Sequence, residues 1–153
     1  MLIIPEHNKA LRAALEAFYY RPSEEEAQRI LHELQHGKAE LFILVHGRVG
    51  GEGERRIAPN DLKLMQIEGG GNIRVIMATT RLFPESLVPE LEENGLYCRR
   101  LPAQELLRLC KERGILSISL ESGLETEVFV GPIGTGEPMR VVSYKELDGD
   151  GPL

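Results

Sequence analysis

The feature that most constrains the fold is a run of five bulky apolar residues, LFILV, at positions 41–45. The run is too short for a globular helix, and it lacks the alternation of a strand with one face in water. It is typical of a strand buried on both faces, which requires a sheet with other elements packed on it. A chain of 153 residues can bury a core of that kind and is expected to form a single domain.

Two amphipathic helices are predicted before this strand. In the first, apolar residues recur at i, i+3, i+4 and i+7, and these are Leu11, Ala14, Leu15 and Phe18. Asn8 stands at the position of its N-cap. The second helix begins after Ser23, which with Glu26 has capping-box spacing. Its apolar face consists of Ala27, Ile30, Leu31 and Leu34.

The rest of the chain alternates strands and helices. A β-hairpin is predicted from residues 62–68 and 73–77, which flank three glycines. Further helices are predicted over 84–94 and 102–113, and further strands over 96–100, 115–120 and 127–130. The fold class is therefore α/β (α+β), with a mixed sheet of five to six strands and about four helices packed on it. Because residues 73–120 read as strand–helix–strand–helix–strand, parallel crossovers are expected there.

The composition changes after residue 130. We expect residues 1–130 to form the α/β domain and residues 131–153 to form an extension rich in glycine and proline. One short element can lie over 139–147, and the end of the extension, 148–153, is expected to be disordered.

Composition excludes several classes of function. The net charge is −6 and no basic stripe is present, so nucleic acid is not an expected partner. No apolar run is long enough to span a bilayer, and the first residues lack the features of a signal peptide. The two cysteines, Cys98 and Cys110, do not have the spacing of a redox pair and are expected to be buried thiols. These features predict a soluble, acidic, cytoplasmic domain.

One motif points to chemistry. His32, Glu33 and His36 match H-E-x-x-H, the pattern in which two histidines one helical turn apart bind zinc and the glutamate acts as general base. The helical pattern, however, places both histidines opposite the apolar face, on the solvated side. His36 is also at the end of the helix, and no third ligand is evident. We therefore interpret the histidines as surface residues and keep a zinc-dependent hydrolase as an alternative.

The strand ends suggest a binding region. Thr79 and Thr80 stand where a buried strand gives way to a helix, and Ser122 and Gly123 follow a second strand in the same way. Open α/β sheets bind ligands at the carboxyl ends of their strands. These four residues are the predicted binding residues, although Thr80 is also a plausible helix cap.

The layout resembles the N-terminal domain of the bacterial SseB family over residues 8–130. The resemblance rests on a first helix over 10–18 (ALRAALEAF), a second helix opened by Pro22, Ser23 and Glu24, and the strand 41–45. It continues with the second hairpin strand, 73–80, and the stretch LLRLCKERGILSISLESG. The chain departs from the family pattern where the family has a Phe-Thr-Ser-like triplet, here Ala78, Thr79 and Thr80. It departs again at Ser119, Leu120 and Glu121, where the family often has Asn-Pro.

The resemblance implies an α/β domain without established catalytic residues or a cofactor, and a regulatory or partner-binding role in the bacterial cytoplasm. The leading hypothesis is thus a non-enzymatic binding or adaptor domain that recognises a protein partner or a small ligand. A small acidic secretion chaperone is a further alternative. The oligomeric state is open, and a homodimer is compatible with the sequence.

Overall fold

The computed structural model describes residues 4–47, 61–69, 72–81, 86 and 88–143. Within these ranges, a 3₁₀ turn (Glu6–Asn8) leads into four α-helices and eight strands. The helices are α1 (Lys9–Tyr20), α2 (Glu24–His36), α3 (Val88–Glu93) and α4 (Ala103–Glu112). The strands are β1 (Glu40–His46), β2 (Lys63–Leu64), β3 (Gln66–Gly69), β4 (Asn72–Ala78), β5 (Leu96–Pro102), β6 (Ser117–Leu120), β7 (Val128–Gly131) and β8 (Arg140–Ser143).

All eight strands belong to one mixed sheet, which confirms the predicted fold class but exceeds the predicted five to six strands. One additional strand comes from the segment 62–68, which was expected to be a single strand. It is divided at Met65, because β2 pairs with β1 whereas β3 pairs with β4. The other is β8, which pairs with β7 beyond residue 130. The hairpin between β3 and β4 is confirmed, and two of its turn residues, 70 and 71, lie outside the described residues.

The strand β1 lies inside the sheet, as its apolar run predicts. On one side it pairs along its whole length with β5, and on the other side it pairs first with β4 and then with β2. Leu41, Ile43, Leu44 and Val45 are buried. The strands β4 and β6 are neighbours and run parallel, as expected for strands of the segment 73–120. The strand between them in the chain, β5, pairs with β1 instead.

A single apolar core lies between one face of the sheet and the helices α1, α2 and α4. Its sheet side is formed by alternate residues of each strand, since successive side chains point to opposite faces. These include Ile43, Val75, Met77, Ile118, Leu120, Val128 and Val130. The residues between them, such as Arg74, Ser117, Ser119 and Phe129, lie on the opposite face of the sheet, called here the second face.

The helix α2 begins as its sequence predicts. The side chain of Ser23 accepts a hydrogen bond from the backbone N–H of Glu26 at 3.2 Å. Three glutamates occupy the first turn, where the helix dipole favours negative charge. For the third helix, only Val88–Glu93 of the predicted range 84–94 is described as helical. No helix in the described ranges is long and apolar enough to cross a membrane.

The strand β8 lies inside the predicted extension, 131–153, where one short element was expected over 139–147. The strand β8 continues the sheet, and Ile133 and Val141 belong to the apolar core. Residues 131–143 therefore fold with the preceding chain. The predicted disorder over 148–153 falls outside the described residues.

Candidate functional site

The carboxyl ends of β4 and β6 meet at one edge of the sheet. The parallel register pairs Met77 with Leu120, so the residues that follow the two strands are brought side by side. The structure thus places Thr79 and Thr80 next to the segment that contains Ser122 and Gly123. Their exposure differs: Thr79 and Thr80 are buried, whereas Ser122 and Gly123 are exposed.

A buried carboxylate occupies the centre of this edge. Glu121 directly follows β6, and its side chain is fully buried. One carboxylate oxygen accepts a hydrogen bond from the backbone N–H of Thr79 at 2.6 Å. The other forms an ion pair with the guanidinium of Arg12, which comes from α1. Because both oxygens are engaged and shielded from water, this carboxylate is not available as a general base in the observed conformation.

Arg12 is held in place by more than one group. Its guanidinium also lies 3.3 Å from the carboxylate of Glu16 on the same helix and 3.4 Å from the hydroxyl of Thr126. The side chain is 17% exposed, so most of the charge is removed from water. Since a mostly buried charge is costly unless it is paired, these contacts fix α1 to the ends of the strands.

The backbone of Glu121 is strained. Its φ of 65° lies in the left-handed region, which favours glycine. Its backbone N–H donates to the carbonyl of Met77 at 2.9 Å, and this bond holds the residue against β4. The left-handed turn directs the carboxylate inward, toward Thr79. Strain of this kind persists only where the surroundings determine the conformation.

Asn8 was expected to cap α1, and this prediction was wrong. Asn8 precedes the helix, but its side chain forms no capping hydrogen bond. Its amide nitrogen instead donates to the carbonyls of Glu40 at 2.7 Å and Thr79 at 2.8 Å, and its oxygen accepts from the N–H of Glu40 at 2.7 Å. The fully buried side chain therefore joins the start of β1 to the end of β4.

Two of the four predicted binding residues, Thr79 and Thr80, are buried at this edge of the sheet and are not exposed to a ligand. The backbone of Thr79 is bonded on both sides, by Asn8 and by Glu121. Within the described part of the chain, its buried hydroxyl has no hydrogen-bond partner. Sequence reasoning missed the functions of Asn8, Arg12 and Glu121, because their partners are distant in the chain. A glutamate immediately after the apolar end of a buried strand was the one available signal for Glu121.

A cleft of about 760 Å³ opens beside the exposed part of this edge. We call it the α1 cleft, because the end of α1 and Pro22 form one wall and the segment that follows Ser122 forms the other. Gly123 is the predicted binding residue that lines it. Its volume is within the range of small-molecule sites, roughly 300–1,000 Å³. Its lining residues are Phe18, Tyr19, Tyr20, Pro22, Gly123, Leu124, Glu125, Thr126, Glu127, Val128 and Ser143.

Large apolar and aromatic surface is exposed at the rim of the α1 cleft. Tyr20 is 81% exposed and Leu124 is 40% exposed. The ring of Tyr20 meets that of Tyr19 edge to face, with the centroids 5.1 Å apart. Tyr and Leu side chains of this exposure, next to a buried Phe18, offer a surface that a partner could cover.

His32 and His36 are exposed on α2, as the helical pattern predicts. Their ring centroids are 5.3 Å apart, and Glu33 is partly buried. Across the residues that the structure describes, no group of three or more potential ligands is close enough to hold a metal ion. The hydrolase alternative therefore has two neighbouring histidines to support it and no third ligand in the described ranges.

The location of Cys110 makes its thiol unreactive. It lies on the inner side of α4 and is fully buried, and this burial raises the pKa of its thiol to about 12. Cys98 is partly buried on β5, and neither cysteine forms a disulfide.

The raised pKa predicts a slow reaction of the Cys110 thiol. In a Cys98→Ser variant at pH 8, we expect Cys110 of the folded protein to react with Ellman's reagent about a thousandfold more slowly than Cys110 of the protein unfolded in urea, because the thiolate is the reactive form. Equal reaction rates in the folded and the urea-unfolded protein would contradict this expectation. The Cys110→Ser variant is the control, because it reports the reaction of Cys98 alone.

Comparisons of the chain with protein-family models, with curated proteins and with solved structures found no match.

Proposed function

We propose that this chain is a non-enzymatic binding domain that recognises a protein partner through the α1 cleft. The observation that carries the proposal is the exposure of Tyr20 and Leu124, which both line a cleft of about 760 Å³. Exposed aromatic and aliphatic side chains around a depression are typical anchors for a partner's side chains. The partner's contribution would be an apolar side chain that enters the cleft between these two residues.

A polar network reaches the cleft through the contact of Arg12 with Thr126, and this network supports binding rather than catalysis. The carboxylate of Glu121 is occupied by Arg12 and by the backbone of Thr79. The network therefore stabilises the wall of the cleft and leaves no unengaged carboxylate oxygen on Glu121. A role as an adaptor of the SseB type in the bacterial cytoplasm agrees with this proposal. A small-ligand site, a secretion chaperone and a zinc-dependent hydrolase are the competing hypotheses.

The proposal is tested by placing a charge at the cleft and at a matched control position. Affinity capture is performed from the cells that produce the protein, with the wild type, Tyr20→Lys, Leu124→Lys and Leu116→Lys. Leu116 is the control because it is 54% exposed but does not line the cleft. We expect a specific protein to be retained by the wild type and Leu116→Lys and to be lost with both cleft variants, since burying an unpaired lysine opposes association.

Two results would contradict the proposal: retention of every captured protein by both cleft variants, or no specific capture at all. Circular dichroism of each variant provides the control for folding. Substitutions at positions this exposed are expected to change stability by less than about 0.5 kcal/mol. Loss of capture with an intact spectrum is therefore attributable to the cleft.

A further inference from the structure

A nearly buried arginine on the second face of the sheet has no counter-ion among the described residues. Arg74 lies on β4 and is 6% exposed. Its guanidinium carbon stands 4.6 Å from the centre of the ring of Phe129, and its Nε has no hydrogen-bond partner among the residues that the structure describes. Across the described residues, no carboxylate forms an ion pair with it. Glu127 projects from the same face, but its carboxylate accepts a hydrogen bond from Ser119 at 2.8 Å.

This arrangement is costly for the protein alone. A guanidinium remains protonated at any physiological pH, so it cannot escape the cost of burial by losing its charge. The contact with Phe129 offsets part of that cost, since cation–π contacts contribute about 0.5–2 kcal/mol. An unpartnered donor that is this deeply buried calls for a physical explanation, and a bound anion is one.

A second arginine and a hydroxyl lie in the same row across the sheet. Arg74 pairs with Ser117 of β6, and Ser117 lies next to Gly131 of β7, whose own partner is Arg140 of β8. The four residues share the second face because paired residues in a sheet point to the same side. Arg140 is exposed and forms no ion pair within the described residues.

The guanidinium of Arg74 lies beside the ring of a residue on β7, the strand next to β8. The side chain of Arg74 reaches from β4 across β6 to Phe129 on β7, so its charge lies one strand away from β8, which carries Arg140. Between them stand the hydroxyl of Ser117 and Gly131, which has no side chain. Gly131 itself leaves no room for a ligand, because a Cβ there would lie 2.7 Å from the carbonyl oxygen of Leu116. An anion farther out over the second face could receive hydrogen bonds from Arg74, Arg140 and Ser117.

We propose that Arg74, Ser117 and Arg140 bind a phosphate group. Two guanidinium forks and one hydroxyl, carried by β4, β8 and β6, offer more donors than a planar carboxylate can accept and suit the several oxygens of a phosphate dianion. The ligand is either inorganic phosphate or a small phosphate monoester, and both present the same group. This site lies on the second face and is independent of the α1 cleft.

The test compares phosphate binding in four proteins at constant ionic strength, with chloride as the reference anion. They are the wild type, Arg74→Met, Arg140→Gln and Arg100→Met. Arg100 is the matched control: it also lies over an aromatic ring, that of Phe42 at 5.8 Å, but it has an ion pair with Glu40 at 3.0 Å. Binding is measured by isothermal titration calorimetry and by the rise in Tm with phosphate concentration.

In the wild type we expect saturable binding and a Tm that rises with phosphate. Arg74→Met and Arg140→Gln are each expected to weaken binding at least about tenfold, the effect of losing one charge-assisted hydrogen bond. Arg100→Met is expected to bind like the wild type. In chloride, Arg74→Met should have an equal or higher Tm, because methionine fills the space without a buried charge.

The proposal is overturned if phosphate has no saturable effect on the wild type, or if Arg74→Met and Arg100→Met respond to phosphate alike. If Arg74→Met does not fold, Arg140→Gln still tests the proposal, because Arg140 is exposed. An unchanged affinity for phosphate in Arg140→Gln would overturn the proposal.

A parallel titration with a sugar phosphate and with the unphosphorylated sugar identifies which of the two phosphate ligands the site prefers. Tighter binding of the ester than of inorganic phosphate indicates a monoester, and equal binding indicates inorganic phosphate.

Discussion

Replacement of Glu121 with alanine is expected to lower the free energy of unfolding by about 3–5 kcal/mol, the effect of removing one partner of a buried ion pair. The loss leaves the guanidinium of Arg12 without its buried counter-ion and the N–H of Thr79 without an acceptor. Urea denaturation followed by circular dichroism measures the change.

Two further substitutions at this position separate the contributions. Glu121→Gly removes the same side chain but suits the φ of 65°, so it should be about 1 kcal/mol more stable than Glu121→Ala. Glu121→Gln retains an acceptor for Thr79 and should fall between the wild type and the alanine variant. A loss below about 1 kcal/mol for Glu121→Ala, the level typical of a surface ion pair, would show that the network does not stabilise the fold.

Replacement of Asn8 with alanine is expected to cost about 2–4 kcal/mol, because buried backbone groups of Glu40 and Thr79 lose their partners. These groups belong to the first residue of β1 and to the residue that follows β4, so the loss should loosen the edge that carries the predicted binding residues. The same denaturation experiment measures it.

An aspartate at position 8 distinguishes this bridge from a helix cap. As an N-cap, aspartate serves about as well as asparagine, so Asn8→Asp would then be nearly neutral. In the observed structure the aspartate would face two carbonyl oxygens with a carboxylate and lose both donated hydrogen bonds. We therefore expect Asn8→Asp to be at least as destabilising as Asn8→Ala, and a neutral result would restore the capping interpretation.

The parts of the fold that local patterns determine were predictable. The apolar run at 41–45 indicated an interior strand, and Ser23 with Glu26 indicated the start of α2. The hairpin was also predictable, since glycines between two strand-like segments favour it. In each case the signal and the structure it specifies lie within a few residues of each other.

The parts that depend on distant partners were not predictable. The segment 62–68 divides into β2 and β3 because its two halves pair with different strands, β1 and β4. Nothing in the residues of the segment indicates this division. Asn8 bonds to a carbonyl 71 positions away, and Arg12 pairs with a carboxylate 109 positions away. These long-range bonds bury Thr79, which the strand-end argument had placed in a binding region.

The candidate site was predictable at the level of a region. The carboxyl ends of β4 and β6 do come together, and Gly123 lines the α1 cleft. The aromatic wall of the cleft was not foreseen, because Phe18 read as part of the first helix's apolar face and the exposure of Tyr20 depends on where that helix ends. A role in binding for Thr79, Thr80, Ser122 and Gly123 remains a prediction.

Photo-crosslinking inside the producing cells tests the central claim most directly. A photoreactive phenylalanine analogue is introduced at position 20 or 124, and at position 116 as the exposed control outside the cleft. We predict a discrete adduct of higher mass from positions 20 and 124 and none from 116. An adduct from position 116 alone, or no adduct from either cleft position, would contradict the claim that the α1 cleft binds a protein partner.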